Sequence, residues 1–85
     1  MVRPRQFPVT IGWAVAGDAN VRIAVFNSAG ELVRVVWEGQ AGDGIPHVVQ
    51  WDGRNYAGNE VASNVYLIRL FAPTVLLLKP LGVVQ

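Results

Sequence analysis

Between Phe7 and Val15 every second residue is apolar. Phe7, Val9, Ile11, Trp13 and Val15 share one parity, and Pro8, Thr10, Gly12 and Ala14 hold the other. Successive side chains of an extended chain point to opposite faces, so this spacing describes a strand with one buried face and offers no stripe for a helix. Pro8 near its start points to an edge position, because proline donates nothing to a ladder. The same period returns at Val21, Ile23 and Val25, at His47, Val49 and Trp51, and at Tyr66, Ile68 and Leu70. Turn formers separate these runs: Ala16-Gly17-Asp18-Ala19-Asn20, Asn27-Ser28-Ala29-Gly30, and the glycine-rich stretch from Glu38 to Pro46. A further strand is expected from Glu31 to Trp37. There Leu32, Val33, Val35, Val36 and Trp37 fill both faces, which a bulge or cover on both sides would explain. The β-branched residues speak against a short helix in its place. Val61 to Ser63 reads as a short strand, and Val75 to Leu78 as the last, ended by Pro80 and Gly82. Seven short strands spaced about ten residues apart imply an all-β, antiparallel, immunoglobulin-like β-sandwich. Residues 1–6 read as an irregular N-terminal arm and residues 7–85 as one domain.

The densest local signal is Trp51-Asp52-Gly53-Arg54-Asn55-Tyr56-Ala57-Gly58. Trp51 ends an apolar alternation and can anchor the strand end with a large ring. Asp52 can accept hydrogen bonds from backbone N–H groups just ahead of it, while Gly53 and Gly58 can take a positive φ. Gly30 closes the earlier turn in the same way. Tyr66 stands at the start of a late strand, after a loop, where its hydroxyl can reach upstream backbone as in a tyrosine corner.

Composition matters at this point, because 52% of the chain is hydrophobic and only 15% charged, against about 25% charged in average soluble domains. A chain of 85 residues buries only about 60–65% of its unfolded surface. Some apolar surface must therefore be covered by a neighbouring domain, a second copy or a larger assembly. The sharpest candidate is Val75-Leu76-Leu77-Leu78, apolar on both faces of a final edge strand. Such a strand invites addition by another chain, unless residues 80–85 fold back over it. A net charge of +1 gives no electrostatic footprint for nucleic acid. The absence of cysteine removes disulfides, thiolate zinc sites and cysteine nucleophiles together. No apolar stretch follows the basic residues Arg3 and Arg5, so no signal peptide is expected in this chain. Val65 to Leu78 is broken by Arg69 and Pro73 and is too short to insert across a bilayer.

Chemistry is sparse. Asp52, Asn55, Asn59 and Glu60 cluster oxygens, but Arg54 and Tyr56 occupy positions where a calcium loop needs oxygen donors. No metal and no cofactor is expected. His47 is the sole histidine and shares a face with Val49 and Trp51, which fits the rim of a core better than a catalytic site. No nucleophile or acid/base pair converges, so the chain does not read as an enzyme. Trp37 and Tyr56 are the candidate aromatics for stacking on a polysaccharide, with Trp13, Trp51 and Tyr66 read as core.

Two strings then carry a resemblance. Val21-Arg22-Ile23-Ala24-Val25-Phe26-Asn27-Ser28-Ala29-Gly30-Glu31-Leu32-Val33-Arg34 resembles the first signature of the FlgD-type immunoglobulin-like domain. Trp51-Asp52-Gly53-Arg54-Asn55 with Gly58, followed by Val61-Ala62-Ser63-Asn64-Val65-Tyr66, resembles the second, and Phe7-Pro8-Val9-Thr10-Ile11 is similar to the opening strand. Asn64 stands where that family usually has glycine, and the tail from Ala72 to Pro80 is more apolar than the family's final strand. The family occurs in the flagellar hook-capping protein and in C-terminal modules of bacterial secreted and surface proteins. It is similar to the sorting domains of type IX secretion. The resemblance implies a non-catalytic structural or assembly module, extracellular or at the cell surface, with protein partners. The alternative is a carbohydrate- or surface-binding sandwich using Trp37 and Tyr56.

Overall fold

The computed structural model describes residues 7–15, 20–40, 44–73 and 75–84, with only the backbone of Val75. The expected arm, residues 1–6, lies outside the described residues. Six strands follow in order: β1 (Val9–Trp13), β2 (Asn20–Phe26), β3 (Leu32–Gln40), β4 (His47–Trp51), β5 (Asn64–Ala72) and β6 (Val75–Val83). Their pairing is antiparallel throughout. They form a two-stranded sheet, β1–β4, and a four-stranded sheet in the order β3–β2–β5–β6. No helix among the described residues is long and apolar enough to cross a membrane.

The alternations decide which faces meet. Val21, Ile23 and Val25 of the central strand β2 are fully buried, and each such side chain stabilises by about 1.5–3 kcal/mol relative to exposure. Ile23 lies opposite Leu70 and Val25 opposite Ile68 on β5. One end of the core gathers Trp13, Val15, Ile23, Leu70 and Ala72. The other gathers Val25, Trp51, Val61, Tyr66 and Val83.

The crowded β3 is resolved by two register shifts against β2, between Ile23 and Ala24 and between Val25 and Phe26. Each irregularity sets an extra residue on β3 against the regular alternation of its partner. Val36 and Val33 are the residues skipped in the pairing, and both pack against the core. That is how a strand with apolar residues at consecutive positions serves one interior.

Among the described residues six strands stand where seven were expected. Val61–Ser63 is not a strand: the Val61 N–H donates to Gly53 O at 2.9 Å, and the neighbouring pairing is an isolated bridge between Arg54 and Glu60. The loop therefore closes on itself rather than on a sheet. The last strand is also longer than expected. Pro80 and Gly82 do not end it but sit inside β6, opposite Leu67 and Val65. Residues 80–83 continue the ladder instead of folding back over it. Proline is tolerated there because β6 is an edge, with one side that has no ladder to complete.

Tyr66 ties β5 to the loop before it. Its hydroxyl donates to Ala62 O at 2.7 Å, and burial pushes its pKa up from the ordinary value. The unfolded chain then ionises first as pH rises. The contribution is whole below about pH 10 and is lost as pH climbs through the folded value. Tyr66→Phe should cost about 1–2 kcal/mol at neutral pH by orphaning the carbonyl. It should also remove the loss of stability towards urea expected of the wild type as pH rises above about 10. An unchanged alkaline profile in the variant would detach that loss from Tyr66.

Candidate functional site

The segment from Trp51 to Val61 is built from short-range hydrogen bonds. Asp52 Oδ1 accepts from the Arg54 backbone N–H and from Arg34 Nη1, both at 3.0 Å, tying the loop to β3. Trp51 Nε1 donates back to Arg54 O at 3.1 Å, and Arg54 Nη1 donates to Gly58 O at 2.7 Å. Asp52→Ala should cost about 1–2 kcal/mol by releasing both donors. Its melting temperature should shift equally with and without calcium; calcium-dependent melting of the wild type would give Asp52 a different role.

Gly53 has φ +77°, and a Cβ there would lie 2.8 Å from Phe7 Cζ. The Phe7 ring in turn meets Trp51 edge-on at 5.7 Å between centroids. Glycine is needed on both counts, for the left-handed backbone and for the approach of the ring.

One pairing escapes a reading by strands. Asn55 Oδ1 accepts from Ala57 N at 3.0 Å and Asn59 N at 3.1 Å, while Gly58 N donates to Asn55 O at 3.0 Å. In the β2–β3 turn, Asn27 Oδ1 accepts from Ala29 N at 3.0 Å and Glu31 N at 2.9 Å, while Gly30 N donates to Asn27 O at 3.0 Å. The two turns are the same device, Asn-x-x-Gly followed by one polar residue, with Gly30 and Gly58 both at φ +82°. The recurring tetrapeptide is the signal that assigns Asn27 and Asn55 as turn organisers. Both turns border one shallow cleft, lined also by Tyr56, Glu60 and Tyr66.

The structure does not bring Trp37 and Tyr56 together. Trp37 packs on Trp13 at 4.9 Å between centroids, at the edge of the core. Tyr56 stands exposed on the loop beside the β2–β3 turn. His47 also stacks on Trp13, at 4.8 Å between centroids.

The larger surface feature is the outer face of the four-stranded sheet. Phe71 lies opposite Leu76, Arg69 opposite Leu78 and Leu67 opposite Pro80. Leu76 and Leu78 are each 58% exposed and Phe71 49%. Arg69 lies flat across this face, its guanidinium 4.6 Å from the Phe26 ring centroid and 5.8 Å from that of Phe71. Its Nε is buried with no hydrogen-bond partner. The other parity of β6 points inward, yet Leu77 is 59% exposed there. The strand is thus apolar and open on both faces.

The profile of the FlgD Ig-like domain matches residues 5–74. This chain belongs to the FlgD Ig-like domain family. The match takes in β1 to β5 and stops just before β6. No curated protein matches this FlgD Ig-like domain. Among solved structures it is similar to PorZ, described as an essential bacterial surface component of the type IX secretion system of Porphyromonas gingivalis. That similarity has a TM-score of 0.61 at 24% identity and covers 99% of this chain but 10% of PorZ. The likeness is one of fold, and the chain spans about a tenth of PorZ's length.

Proposed function

We propose that this domain is a non-catalytic structural or assembly module of a bacterial extracytoplasmic or surface protein. It packs against neighbouring domains or copies through the outer face of its four-stranded sheet and through β6. The observation that carries this reading is the exposed apolar face formed by Phe71, Leu76 and Leu78 around Arg69. A contiguous apolar face of this kind on a domain of 9.2 kDa is characteristic of an interaction surface. The family and the fold shared with a secretion-system surface component support the extracytoplasmic setting.

The chain has no cysteine, so a single Leu78→Cys substitution reports on this face alone. Its alkylation by a maleimide should slow by about tenfold as protein concentration is raised through the association range. A control thiol at Ala57→Cys, on the exposed loop, should keep its rate. Equal, concentration-independent rates at both positions would sink the proposal.

A second reading, polysaccharide binding, keeps one specific observation. Tyr56 is exposed at a cleft lined by Asn27, Glu31, Asn55 and Glu60. It would show as a polysaccharide affinity that Tyr56→Ala abolishes in a chain that stays monomeric.

A further inference from the structure

The two sheets are unequal. At about 4.8 Å per strand, the two-stranded sheet spans about 10 Å and the four-stranded sheet about 19 Å. β4 lies against β3, and among the described residues the side of β1 away from β4 has no strand beside it. Beyond that free edge, a groove of about 420 Å³ runs along residues 9–14. Its floor includes Ile68 and Leu70, and its far wall Leu77, Lys79 and Leu81 of β6. This groove explains why Leu77 is exposed although its parity is that of the core.

The edges of this protein are not treated alike. β3 is bulged and carries Arg34 and Glu38, and β6 carries Lys79 and Pro80. Bulges, charges and proline are the usual means of keeping an edge from pairing with another chain. The run Val9-Thr10-Ile11-Gly12-Trp13-Ala14 has no charge, no proline and no register shift against β4. Past Pro8 at its start, it is an unguarded edge beside an apolar floor. Lys79, on the wall, pairs with no acid among the described residues.

We propose that this groove takes an extended segment of another polypeptide as a third strand of the smaller sheet. The inference rests on the reading of the domain as a binding module, but it uses a different surface. The incoming strand pairs its backbone with the free edge of β1. Alternate apolar side chains settle on Ile68, Leu70, Leu77 and Leu81, and a carboxylate reaches Lys79. Main-chain hydrogen bonds supply affinity and alternate side chains supply specificity in this mode of recognition. A groove no more than two strands wide, by the difference between the sheets, suits a lone extended segment better than the edge of a second folded copy.

The probe is a fluorescein-labelled heptapeptide of alternating valine and threonine with a central aspartate, followed by anisotropy on the 85-residue chain. Saturable binding is expected. It should weaken by about tenfold in Leu77→Lys, whereas Leu76→Lys on the opposite face should leave it unchanged. A central lysine in the peptide should weaken binding by about fivefold, and Lys79→Glu should reverse that preference. N-methylation of alternate residues should abolish binding in one register and spare it in the other, because only one edge of the peptide faces β1. Leu77 and Lys79 are exposed, so these variants keep the fold.

The proposal is overturned if no peptide binds saturably, or if both N-methyl registers bind alike. It is overturned as well if Leu77→Lys alters only the mass of the protein and not its peptide affinity, which would make the occupant a second copy. Loss of peptide binding in a chain whose outer face still associates would leave the assembly reading standing.

Discussion

Trp51→Ala lowers the stability of this domain by about 3–5 kcal/mol, the range for truncating a large buried aromatic. Trp51 is 1% exposed and the largest fully buried side chain of the chain. Phe7 meets it from one side at 5.7 Å and Tyr66 from another at 6.0 Å, both edge-on. Its Nε1 also holds Arg54 O. Alanine would open a cavity between these rings and release the carbonyl that shapes the following loop. A domain of 85 residues has a total stability of roughly 4–13 kcal/mol, so this one change consumes much of it. Urea unfolding gives the value directly. A loss below about 1 kcal/mol would remove Trp51 from the core.

Gly53→Ala and Gly30→Ala separate two costs that usually arrive together. Both glycines have left-handed backbones, at φ +77° and +82°. A Cβ at Gly30 meets nothing within 4 Å, whereas one at Gly53 meets the Phe7 ring at 2.8 Å. Gly30→Ala therefore carries the dihedral cost alone, about 1–2 kcal/mol. Gly53→Ala adds the cost of pushing an aromatic ring out of a packed corner, for a total of about 2–5 kcal/mol. The difference between the two midpoints in urea isolates the steric part. Equal losses would mean that Phe7 moves aside freely and that the corner formed by Phe7, Trp51 and Gly53 is loosely packed.

Much of the fold was legible because it is written in period two. Val21, Ile23 and Val25 needed only their spacing to be placed on a buried face, and Tyr66, Ile68 and Leu70 likewise. The family was legible from two ordered strings around Gly30 and Gly53. What the sequence hides is the outcome of competition between a local signal and its surroundings. Pro80 breaks an interior strand but not an edge, and the proline alone does not say whether its missing N–H would have faced a neighbour or the open side of β6. Val61 has strand composition, yet its N–H reaches Gly53 O before it reaches a neighbouring strand. The crowding of β3 announced an irregularity without giving its position, because bulges are fixed against a partner and not within one strand. Trp37 and Tyr56 resemble each other in sequence, but Ile23, opposite Trp37, is four residues from the turn at Asn27. That is about 13 Å of strand, too far for one platform. The groove beside β1 depends on the imbalance of two against four strands, and no window of sequence carries that count.

The claim that the outer sheet face is an interface is tested most directly by the solution mass of the 85-residue chain, by sedimentation over roughly a hundredfold range of concentration. The wild type should rise above 9.2 kDa as concentration increases, and the double variant Leu76→Lys/Leu78→Lys should hold at the monomer mass throughout. A wild type that stays at 9.2 kDa at every concentration, indistinguishable from the variant, would contradict it.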